Sequence, residues 1–145
     1  MTRKFRLAGV LRAREVRKDQ AIGAVARARA DIAAAIAKRD EREERLLRDL
    51  DPNDDDTAAA YMATLATRQA MASELALADQ LVVDAGDAVR ARTAELTQAA
   101  IHHRSLEKLA ERQTATQLHT ELAAVQRELD ETAVSHRSAA QDGTL

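Results

Sequence analysis

Apolar residues recur at alternating steps of three and four along most of this chain, the rhythm of helices that bury one narrow stripe. The first stripe runs Ile22, Val25, Arg29, Ile32, Ile36, Arg39, Glu43, Leu46 and Leu50, within a helix expected over about 3–50. The second resumes at Tyr61 and continues through Leu65, Arg68, Ala72, Leu75, Asp79, Val82, Gly86, Val89, Thr93, Leu96, Ala100 and His103. In it, Leu75, Val82, Val89 and Leu96 make a bulky row at seven-residue steps, while the companion row is mostly small. This helix is expected over about 57–136, followed by a disordered tail at 137–145.

Between the stripes lies DPNDDDT, residues 51–57, with the only proline of the chain. Pro52 disfavours helical geometry at Asp51, Asn53 and Asp54 favour turns, and Asp55, Asp56 or Thr57 can cap the helix that follows. A kink in one long helix is the alternative, but a proline amid turn formers marks a loop. The expected fold is therefore all-α: a long two-helix antiparallel coiled-coil hairpin with a C-terminal helical overhang, one domain over 1–145 with a tip loop at 51–56. Pairing outward from the tip sets Leu50 opposite Thr57 and Phe5 opposite about His102. It brings residue 46 close to 61 and residue 11 close to 96.

The helices are unequal, about 70 Å against roughly 120 Å. Beyond Arg104 the second helix is expected to have no intramolecular partner. That overhang carries Leu106 and Leu109, then Leu118, Leu122, Val125 and Leu129 at 4-3-4 spacing, out of phase with the hairpin stripe. A lone helix with an apolar stripe calls for a partner, either a second copy or another protein.

Composition narrows the chemistry. Charged residues are 32% and aromatics 1% of the chain, which suits long helices rather than a compact globule. There is no cysteine, so disulfides and thiolate metal sites are excluded. The apolar run LAGVL near the start is too short for a signal-peptide core, and no longer run could span a bilayer. The expected location is cytoplasmic, with no direct membrane insertion. Residues 1–18 carry seven Lys/Arg against Glu15, and residues 40–56 carry nine Asp/Glu against three Arg, so one end is basic and the break acidic.

No phosphate-cradling glycine loop is present. His102, His103, His119 and His136 include no i, i+3 or i, i+4 pair, so neither a metal site nor a cofactor is expected and the histidines read as exposed helix positions. Two aromatics provide no stacking platform for nucleic acid, and a bZIP arrangement is opposed by Lys18, Arg29 and Arg39 in the stripe. No enzyme is expected.

Two stretches resemble the flagellar export protein FliJ family: FRLAGVLRARE (5–15), and LEKLAERQ (106–113) followed by ELAAVQRELDETA (121–133). Leu106, Glu107, Leu109 and Glu111, then Gln126, Leu129, Asp130, Glu131 and Ala133, are similar to the C-terminal signature of that family. The resemblance implies a stalk-like coiled coil of the flagellar type III export apparatus, peripheral on the cytoplasmic face of the cell membrane. It implies as partners the hexameric export ATPase FliI, the cytoplasmic domain of the export gate FlhA, and export chaperones. On the ATPase side it points to Phe5, Leu7, Leu11, Arg12, Arg14, Leu106, Glu107, Leu109, Leu122, Leu129, Asp130 and Glu131. On the gate side the protruding hairpin tip offers Leu46, Tyr61 and Leu65, where family members often carry more aromatics than the single Tyr61 here. The equivalent stalk of a virulence type III secretion system and a self-associating structural coiled coil are the competing readings.

Overall fold

A computed structural model describes the backbone of residues 6–49 and 57–142 and the side chains of 7–49 and 57–137. Phe5, Leu50 and the expected tip loop at 51–56 lie outside the described residues. Two α-helices make up this part of the chain: α1, Arg6–Asp49, and α2, Ala58–Asp142. Residues 137–142, expected in a disordered tail, continue α2 as helix. Thr57 caps α2: its hydroxyl accepts from the Ala60 amide at 3.3 Å and its carbonyl accepts from the Tyr61 amide at 3.0 Å. The contacts of α1 with α2 are those of a helical hairpin. They divide the chain into two compact units, one of Met1–Arg12 with His102–Leu145 and one of Ala13–Ile101.

In the unit Ala13–Ile101 the helices run antiparallel. Arg39 Nε donates to Asp79 at 2.9 Å. Ile32 Cδ1 lies 3.7 Å from where a Cβ on Gly86 would stand. Arg68 of α2 donates through Nε and Nη2 to the carbonyl of Asp49, the last residue of α1, at 3.0 and 2.7 Å. These bonds satisfy one of the carbonyls that a helix C-terminus leaves open, and they set a cation at its negative end.

The alignment departs from a hairpin paired level from its tip. Arg39 faces Asp79, Ile32 faces Gly86 and Asp49 faces Arg68, a shift of about eleven residues, or about 16 Å, from the expected pairing of Leu50 with Thr57. Residue 46 therefore stands level with about residue 72 rather than 61. The first turns of α2 project beyond the end of α1, because side chains along the seam set the pairing and nothing requires the two helices to end together.

Burial also corrects one row of each stripe. The buried or half-buried positions of α1 step by 3 and 4 from Ala21 through Val25, Ala28, Ile32, Ala35, Arg39 and Arg42 to Leu46 and Asp49. On α2 they include Arg68, Met71, Leu75, Ala78, Val82, Ala85, Val89, Leu96 and Ala99. The row of Val25, Ile32, Arg39 and Leu46, and that of Leu75, Val82, Val89 and Leu96, stand as expected. The companion rows fall one residue earlier, largely on alanines, and leave Ile22 and Ile36 49% and 43% exposed. Small side chains in one row let two helix backbones approach closely, so the bulky row of each can fill the space between them. Ala28 and Ala78 accordingly join Val25 as the buried apolar residues among those described.

Candidate functional site

The unit of Met1–Arg12 and His102–Leu145 carries an open apolar groove. Leu11 of α1 lines it together with Glu107, Ala110, Glu111, Thr114, Ala115 and Leu118 of α2. Helical steps of 3 and 4 carry the same α2 face onward from Ala115 and Leu118 to Leu122, Val125 and Leu129. Those four large residues, Leu118, Leu122, Val125 and Leu129, are all more than half exposed. The groove is thus the root of an open apolar stripe, with Glu107 and Glu111 on its rim.

This arrangement moves the start of the overhang. Leu11 shares a groove with residues between 107 and 118, so α2 keeps an intramolecular neighbour past Arg104. From Glu111 to Arg137 every α2 residue except Ala123 is exposed. The expectation that residue 11 lies beside residue 96 is corrected by the same observation.

Of the residues expected on the ATPase side, Leu11 and Glu107 come together at the groove, and Leu122 and Leu129 extend its stripe. Leu7 and Leu106 are half-buried, whereas Leu109 is about half exposed and does not line the groove. Asp130 accepts from Gln126 Nε2 at 3.0 Å, and Glu131 and Arg12 are exposed. Arg14 belongs to the other unit, where it is half-buried. Ala110, Thr114 and Ala115 are groove residues that the sequence does not single out, while Leu118 is singled out in the overhang stripe but not among the ATPase-side residues. The 3-4 step from Ala115 through Leu118 to Leu122 is the signal that finds them.

On the gate side, Leu46 is half-buried in the seam, while Tyr61 and Leu65 are 67% and 49% exposed on the projecting first turns of α2, beside Met62. The shifted alignment separates Leu46 from Tyr61 along the hairpin axis by about 16 Å. His103 departs from the exposed position expected of the histidines. It is 7% exposed, with Nδ1 3.5 Å from Glu107 Oε2 one turn on. Seven-residue steps from Val89 through Leu96 bring it onto the inward-facing row.

Arg39 is the seam's main ionic node. Besides Asp79 it bonds Asp40 at 3.1 Å and Glu43 at 2.8 Å. Its hydrogen bond to Asp79 above all, then that to Asp40 and the charge of Glu43, hold the guanidinium above the usual arginine range. Among the described residues, no helix is long and apolar enough to cross a membrane.

The sequence matches a known family over nearly its whole length. The model of the Flagellar FliJ protein family matches residues 3–141. The chain belongs to the FliJ family. No curated protein and no solved structure matches it. Membership in the FliJ family makes the chain a component of the flagellar export apparatus, in a family of export components rather than known enzymes. The FliJ match also takes in the open stripe, so the exposed part of α2 is as much a part of the family pattern as the paired part.

Proposed function

We propose that this chain is a non-enzymatic stalk of the flagellar export apparatus that binds the export ATPase ring of FliI and couples it to the export gate FlhA. The observation that carries the reading is the open stripe of Leu118, Leu122, Val125 and Leu129, rooted at the groove beside Leu11, in a chain of the FliJ family. A ring of ATPase subunits would bury that stripe, and Arg12 together with the other basic residues of the first eighteen would steer the encounter. Tyr61 and Leu65, exposed on the projecting turns of α2, are the side chains offered to the gate. Export chaperones are further partners of the same reading. The location it implies is the cytoplasmic face of the cell membrane, reached through the apparatus.

The match to the flagellar family favours this over the stalk of a virulence secretion system. Co-purification with the cognate ATPase, with and without nucleotide, tests the proposal. Retention that is lost on changing Leu122 and Leu129 to Ala supports it. A chain that ignores the ATPase and instead pairs with itself through the stripe would favour the self-associating coiled coil.

A further inference from the structure

The apolar seam of Ala13–Ile101 does not by itself choose one alignment. Leu75, Val82, Val89 and Leu96 repeat at seven-residue steps, so sliding α1 by one heptad keeps a bulky α2 row beside Val25 and Ile32. The polar residues are not equivalent. The α2 row that faces Arg39 reads Ala72, Asp79, Gly86, Thr93 and Ala100, and holds a single acid. Slid one heptad either way, Arg39 would stand opposite Ala72 or Gly86, and Asp79 opposite Ile32 or Leu46. Arg68 discriminates in the same way. Its guanidinium reaches the Asp49 carbonyl at the end of α1 only in the observed alignment. One slide sets it beside Arg42 and Glu43, where the backbone carbonyls are already bonded within α1, and the other carries it past the end of α1.

We infer that Arg39 and Arg68 act together as a two-point register lock, which selects one of several heptad-related alignments that the apolar seam accepts. The lock sits at the end of the hairpin where α1 stops: Arg39 meets the Asp79 carboxylate, and Arg68 meets Asp49 through both its backbone carbonyl and, at 4.0 Å, its carboxylate. A polar group placed along a helix seam fixes register in this manner. Releasing the lock would let α1 and α2 slide past each other in steps of about 10 Å, one heptad of rise. Such a step would change how many turns of α2 project beyond α1.

Cysteine cross-linking tests this in the full chain, which has no cysteine of its own. The pair Val25→Cys with Thr93→Cys reports the observed alignment, and Val25→Cys with Gly86→Cys or with Ala100→Cys reports the two slides. In the otherwise unchanged protein, linkage is expected at 25–93 alone. In Arg39→Met/Arg68→Met it should shift in part to 25–86 or 25–100, while circular dichroism keeps its helical signal. Should that variant lose its helix, Arg39→Asp alone sets two acids face to face and is expected to shift the linkage. Adding Asp79→Arg should then restore 25–93. Linkage that stays at 25–93 alone in a helical Arg39→Met/Arg68→Met, or in Arg39→Asp, overturns the lock.

Discussion

Gly86 illustrates how single positions in a thin hairpin can be read. It sits in the middle of α2, where glycine costs about 1 kcal/mol relative to alanine. A Cβ there would meet Ile32 Cδ1 at 3.7 Å, an ordinary contact. Gly86→Ala should therefore stabilise the protein by about 0.5–1 kcal/mol, and raise the midpoint of thermal unfolding by a few degrees. Ala78 behaves in the opposite sense. At 2% exposure it is the most buried of the described apolar residues, so Ala78→Leu should overpack the seam and lower stability by about 1–3 kcal/mol. Both are measured by circular-dichroism melting, and a stabilised Ala78→Leu would show that the alanine row does not set the helix spacing. These alanines are the least legible part of the sequence. Periodicity reads large apolar residues first, so Ile22 and Ile36 draw the companion row towards themselves. Alanine sits as readily on a surface as in a seam, and its burial becomes evident only from the partner helix.

At the scale of the elements, much is legible. The two helices, the capping role of Thr57 and the bulky rows all follow from spacing and turn chemistry. The alignment does not, because it depends on which arginine of one helix meets which acceptor of the other, and no periodicity encodes that. A spin-label pair at 46 and 72 should accordingly read short, and a pair at 46 and 61 clearly longer; equal distances would restore the level hairpin. The candidate site is half legible. Leu122 and Leu129 follow from their 3-4 spacing, whereas the groove needs Leu11 to be brought beside Ala110 and Leu118. Leu122→Ala with Leu129→Ala should leave helicity nearly unchanged, since both side chains are mostly exposed and alanine is the better helix former.

For the whole molecule, the proposed function separates two sets of residues. Leu122→Ala with Leu129→Ala should weaken stimulation of the export ATPase, by about 1–3 kcal/mol for each leucine that the partner buries well. Tyr61→Ala with Leu65→Ala should spare the ATPase and impair binding to the gate. Reversing Arg12, Arg14 and Arg17 to Glu should slow association, with the larger effect at low salt. Stimulation that survives the stripe variant and fails in the tip variant would reverse the proposed orientation.

The scarcity of buried side chains has a consequence for how the protein opens. Val25, Ala28, Ala78 and His103 are the buried residues among those described, so no broad core ties distant turns into one cooperative block. Each turn of α1 or α2 leans mainly on its own helix and on the turn it faces, which is close to a one-dimensional chain of local equilibria. Amide hydrogen exchange should then be graded: fast over residues 119–137, where one helix stands in water, and slowest around Val25–Ile32 and Ala78–Val89. Such a protein frays inward along the exposed helix, and a partner that covers the stripe would slow exchange there first.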